Sequence, residues 1–163
     1  MWTHKNTFGV GGLENIGYVS NQDFLIVLSS QGQGIFDCKT GEKVARKHDD
    51  SDWWHKLNKS TNSIVGFDFL ANIEINTCGL YGEDNLSKTT QDGWTLIISD
   101  PEPDDKPFER YLVNRIYLQS PDRKVKIFVG KNGACELRAF GFSDTGNTFI
   151  IALSCDLIIY SRT

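Results

Sequence analysis

The chain has 163 residues, of which 39% are hydrophobic, 12% aromatic and 23% charged. This is the composition of an ordinary globular domain, and at this size roughly two-thirds of the chain's surface is buried on folding. Seventeen Lys and Arg against twenty-one Asp and Glu leave a formal charge of −4, which gains little from counterion release and disfavours nucleic acid as a partner.

Taken in chain order, the sequence reads as many short strands. Residues 23–29, Asp-Phe-Leu-Ile-Val-Leu-Ser, form a branched apolar run between polar turn residues, the pattern of a buried strand. Residues 34–44 continue it as an apolar strand that ends at Asp37 and a Thr-Gly turn. Ser51 begins the one helical segment, residues 51–59, where it is placed to cap the first turn and Trp53, Trp54 and Leu57 supply the apolar spacing. Further strands are expected over residues 64–70, 73–80, 94–99, 110–118, 125–129, 134–142, 148–154 and 157–160, close to the 8–12 residue spacing of antiparallel all-β domains. Alternation at residues 73–77 and 124–129 marks strands with one wet face, and Gly130-Lys131-Asn132-Gly133 supplies a hairpin turn. Loops fall at residues 82–93 and 100–107. The expected fold is a single antiparallel β domain over residues 1–163, a sandwich, barrel or propeller-like arrangement with one short helix.

No apolar run approaches the roughly 20 residues of a bilayer span, and residues 1–6 lack the layout of a secretory signal, so no membrane segment and a cytoplasmic address are expected. Cys38, Cys78, Cys135 and Cys155 match no zinc or redox spacing and are read as reduced core residues. Charge is unevenly placed. Asp100, Glu102, Asp104, Asp105 and Glu109 face only Lys106 in one short stretch, whereas residues 110–131 hold Arg110, Arg115, Arg123, Lys124, Lys126 and Lys131 against Asp122. The second block either steers a partner or solvates a strand face.

Little in the sequence speaks for catalysis. There is no Gly-x-Ser-x-Gly elbow and no phosphate loop, since Gly9-Val10-Gly11-Gly12 opens no helix after a strand. His48, Asp49, Asp50, Asp52 and His55 set imidazoles beside carboxylates and form the one hydrolase-like or metal-like constellation, although carboxylates at a helix start have a simpler role against its dipole. No catalytic residue, metal or cofactor is assigned. Adjacent Trp53 and Trp54 cannot point the same way on a regular element, so either one ring packs on the sheet and the other lies near the surface, where it could meet a partner, or both are core residues. Carbohydrate stacking there is disfavoured by the cysteine usage and the missing export signal. The candidate partner-binding set is Asp49, Asp50, Asp52, Trp53 and Trp54 together with Asp100, Glu102, Asp104 and Asp105.

Two resemblances follow. Residues 17–29 line up with residues 141–154 once a gap is allowed, and with the continuation through Val44 this string resembles the inner strands and outer turn of a β-propeller blade, as in WD-repeat proteins. It covers about 30 residues at the start and about 20 at the end, without a third copy or the Trp-Asp pair. In size, acidity and its two acidic loops, 49–54 and 100–109, the chain also resembles the small single-domain immunity proteins of bacterial contact-dependent growth inhibition and polymorphic toxin systems. That resemblance implies a protein partner, the C-terminal toxin domain of a large secreted protein, whose active site the chain covers with carboxylates where substrate phosphates would sit. The basic stretch after Arg110 departs from a purely acidic nuclease inhibitor. The other readings are a propeller-like or sandwich scaffold for another protein partner, and the hydrolase just described.

Overall fold

The structure is a computed structural model, and it describes residues 1–99 and 113–163. The acidic stretch with Asp100, Glu102, Asp104 and Asp105 lies outside the described residues. The fold is all-β and antiparallel. In chain order it comprises β1 (Trp2–Gly9), β2 (Leu13–Tyr18), β3 (Phe24–Ser29), β4 (Gly32–Asp37), β5 (Glu42–Lys47), α1 (Trp53–Lys56) and β6 (Ser63–Val65). A 3-10 turn (Asp68–Leu70), β7 (Glu74–Asn76), β8 (Cys78–Gly79), β9 (Thr95–Ser99) and β10 (Arg115–Gln119) follow, then β11 (Lys126–Lys131), β12 (Leu137–Phe142), β13 (Thr148–Leu153) and β14 (Asp156–Arg162).

Two sheets form the centre. One has the order β5-β4-β3-β2-β8 and the other β1-β14-β13-β12, so the first strand of the chain completes a sheet otherwise made by the last three. Leu25 and Val27 of the first sheet and Ile150, Ala152, Leu157 and Ile159 of the second share one buried cluster between them. The opposite face of the first sheet, Ile26, Leu28 and Ile35, packs on Trp53, Leu57, Ile64, Leu70 and Ile75. The opposite face of the second, Phe149, Ile151 and Leu153, packs on Leu96, Ile116, Leu118 and Val129 of the three-stranded sheet β11-β10-β9. Both central sheets are therefore covered on both faces. That is why β3 and β13 are continuous apolar runs rather than alternating ones.

The two central meanders repeat each other at a constant offset. Leu13 corresponds to Leu137, Gly17 to Gly141, Tyr18 to Phe142, Ile26 to Ile150, Ile35 to Ile159 and Phe36 to Tyr160, with the register break of β2 after Leu13 matched by that of β12 after Leu137. The turns agree as well: Val19 N–H donates to Phe24 O and Ser143 N–H to Thr148 O. The match is gapless, which corrects the gapped alignment of the sequence. It extends to the fourth strands, since β5 breaks register between the partners of Ile35 and Phe36 and β1 between the partners of Ile159 and Tyr160. Equivalent faces point the same way along the stack, because Leu25 lies between the central sheets whereas its counterpart Phe149 lies on the far side of the second. Successive propeller blades are stacked in this head-to-tail sense.

Several sequence expectations change. The helix is one turn, its N-cap position is Asp52 rather than Ser51, no side chain caps it, and Leu57 is already extended because Asn58 bonds back to Ser63. The strand expected over residues 64–70 stops at Val65, where Asp68 at φ 53° starts the 3-10 turn. The strand expected over 73–80 is two short ones in different sheets. Asn132-Gly133 does not close a hairpin, since β11 and β12 belong to different sheets.

The cysteine reading changes too. Cys38 and Cys78 are free and buried, as expected, and burial pushes the Cys38 thiol far up from its ordinary range. Cys135 and Cys155 instead form a disulfide, their Cα atoms 6.0 Å apart. Two turns meet there: Ser154 N–H donates to Glu136 O at 2.7 Å and Glu136 N–H to Ser154 Oγ at 3.0 Å. Disulfides persist in oxidising compartments, so cysteine usage no longer argues for a reducing one. Among the described residues no helix is long and apolar enough to cross a membrane.

Candidate functional site

The segment after β5 holds five of the nine sequence-derived contact residues. Asp52 N–H donates to Asp49 O at 2.9 Å, closing a turn in which Asp50 takes φ 48°, a conformation Asp tolerates better than most side chains. The chain then enters α1 with the two indoles in different directions. Trp53 is only 1% exposed, and its Nε1–H donates to Ser29 O at 2.7 Å, so its polar atom is satisfied inside the core. Trp54 is half-buried. Its ring stacks at a tilt on Tyr81 with centroids 4.5 Å apart, and Lys59 Nζ sits 4.2 Å from its centroid while also donating to Trp54 O. Nothing in the sequence marks Tyr81 or Lys59 as part of this surface. Tyr81 is far from Trp54 along the chain, and no local pattern announces their contact.

The carboxylates divide by direction. Asp49 turns inward: its Oδ2 accepts from Gln33 Nε2 at 2.9 Å and lies 4.0 Å from Lys47 Nζ. Its Oδ1 and Gln33 Oε1 are buried acceptors without a hydrogen-bonding partner. Asp52 points outward with Lys56 Nζ 3.9 Å away, a contact worth little at that exposure. Asp50 is exposed and makes no hydrogen bond or ion pair among the described residues. The segment is thus not a purely acidic loop, since Lys47 and Lys56 are interleaved with it.

The hydrolase constellation is not assembled. His48 and His55 are exposed, and neither bonds to a carboxylate among the described residues, while Asp49 faces the core. No group of three or more His, Cys, Asp or Glu is placed to hold a metal among the described residues. Asp23, the most heavily bonded carboxylate described, serves architecture. Its Oδ1 accepts from Ser143 Oγ at 2.7 Å, Thr145 Oγ1 at 2.7 Å and Thr148 Oγ1 at 2.8 Å, tying the β2-β3 turn to the β12-β13 turn.

The described part of the basic stretch, from residue 113 on, occupies the opposite layer. Arg115 stands on β10 and Lys126 and Lys131 on β11, where Lys126 Nζ lies 4.4 Å from the Tyr117 ring centroid and Phe128 is half exposed. Phe69 and Val65 are equally exposed on the α1 side. Each end of the stack therefore presents apolar side chains, one end with Asp50 and Asp52, the other with lysines and an arginine. No family model, curated protein or solved structure matches the chain.

Proposed function

We propose that the chain is a protein-binding module of the immunity type, which captures a toxin domain and blocks its active site, with the α1 face as its contact surface. The observation that carries this reading is the setting of Trp54: a large ring packed against Tyr81 and Lys59, part of it still accessible, in the same short segment as the exposed, unpaired carboxylate of Asp50. Interface hot spots combine a pre-organised aromatic anchor with charges that steer the approach, and Trp loses little conformational freedom when it is buried by a partner. Trp53 fixes the helix from below, so the anchor does not have to be ordered on binding. Asp50 and Asp52 are the residues suited to a basic active site; Asp49 belongs to the support.

The test is affinity capture of the tagged chain from its native lysate with mass spectrometry, followed by expression of the captured domain in a host with and without this chain. Recovery of one stoichiometric protein whose toxicity the chain neutralises supports the reading. A captured protein that is harmless, or a toxin the chain does not neutralise, refutes the immunity function. The alternative of a scaffold for some other protein partner draws on the exposed Phe128 and lysines of β11, which offer a second, basic contact surface.

A further inference from the structure

The two central sheets leave a narrow cleft, partly open to solvent, where β1 ends, lined among others by Gly9, Val10, Gln31, Gly34, Lys43 and Arg46. Gly34, on the cluster face of β4, adds no side chain to the lining, and the Phe36 ring lies close over it. Lys43 and Arg46 project from β5 opposite Phe36 and Gly34, so both cations stand on the same side of the sheet. Lys43 is held in place by aromatic rings, its Nζ 5.5 Å from the Phe36 centroid and 5.8 Å from that of Phe8. Neither cation has an ion pair or hydrogen bond among the described residues. Burial and, after it, the neighbouring Arg46 charge lower the Lys43 pKa. Gly9 and Val10 supply part of the wall, and the following Gly11 brings its backbone close to the Gln31 amide, since an added Cβ would lie 2.9 Å from Nε2.

We propose that this cleft binds a phosphomonoester dianion, held by the Arg46 guanidinium and the Lys43 ammonium with the Gln31 amide as a further donor. Two uncompensated cations match a doubly charged oxyanion, whereas a carboxylate would neutralise only one of them. The planar guanidinium presents paired N–H groups to two oxygens of one phosphate. The site is separate from the α1 face, so it stands or falls independently of the partner-binding reading.

The test is amide NMR titration of the intact chain with inorganic phosphate at mildly alkaline pH and constant ionic strength, with acetate in parallel, for wild type, Arg46→Gln, Lys43→Gln and the control Lys39→Gln. Both cleft variants lie on an exposed edge strand, so their folding is checked directly from the same spectra. The expected result is saturable shifts at Gly9, Gly32 and Gly34 with phosphate, binding weakened at least about tenfold in each cleft variant, and unchanged binding in Lys39→Gln. Glycerol phosphate and vesicles containing phosphatidic acid, presented in turn, separate a soluble monoester from a lipid headgroup, and capture of either through Lys43 and Arg46 supports the site. Shifts that do not saturate, equal binding of acetate, or variants that bind as wild type would overturn it.

Discussion

The two central meanders follow one backbone plan and are finished differently. At the position of Gly34 in the first, the second carries Ile158; opposite these residues stand Arg46 and Thr7. Lys43 lies over Phe36 in the first, and His4 lies edge-on to Tyr160, 5.3 Å away, at the matching place in the second. Ile158 packs into the cluster beneath the three-stranded sheet, where the first meander has an opening. The architecture thus sets where a side chain points, and the size and charge at a few positions decide whether that place is core or cleft. The same contrast applies to fastening. The second meander is clamped by the Cys135–Cys155 disulfide, whereas the outer layer of the first rests on Trp53.

The two fastenings can be removed one at a time. Trp53→Ala removes a fully buried indole and leaves Ser29 O without its donor, and about 3–5 kcal/mol of stability is expected to go, read from denaturant unfolding. Reducing the disulfide, or replacing both cysteines with Ser, acts on the other meander and should cost about 2–4 kcal/mol. In thermal unfolding that is a fall of roughly 5–15 °C for a chain of this length. Equal melting with and without reductant would show that the clamp contributes nothing. Gly34→Ile copies the second meander into the first. Its Cβ meets the Phe36 ring at 3.1 Å, so the ring must give slightly, and the variant should fold yet lose the phosphate response.

The smallest effect concerns Asp92. Arg162 grips its carboxylate with bonds of 2.6 and 3.0 Å, and Thr90 Oγ1 donates at 2.7 Å, so its pKa is held well below the usual carboxylate range. A depressed folded pKa means that the contribution is present above the ordinary pKa of 3.8 and is lost only as pH falls below it. Carboxyl chemical shifts should show Asp92 still ionised where exposed Asp residues have titrated, and Arg162→Gln should return it toward them.

Much of the fold was legible because it depends on local patterns. The runs at residues 24–28 and 148–153 are apolar at nearly every position, as two-sided burial requires, and the repeat was visible at Gly17 and Gly141. What escaped depends on distant parts of the chain meeting. The pairing of β1 with β14 has no local signature, since Trp2–Gly9 is mostly polar and exposed. The disulfide needs two turns to converge, and the spacing of its cysteines in sequence does not report that. At the candidate site, adjacency dictates that Trp53 and Trp54 point in different directions, and the structure decides between the two readings by burying Trp53 and leaving Trp54 partly accessible. The inward turn of Asp49 does not follow from adjacency, because it is set by Gln33 on another strand.

In the proposed function the α1 face meets a protein partner through Trp54 and Asp50. The most direct measurement is parallel capture from native lysate by the wild-type chain and by a Trp54→Ala, Asp50→Lys variant with unchanged melting temperature, at low and moderate salt. The predicted result is one protein retained stoichiometrically by the wild type, more strongly at low salt, and lost from the variant at both. Equal retention of that protein by wild type and variant would contradict the claim.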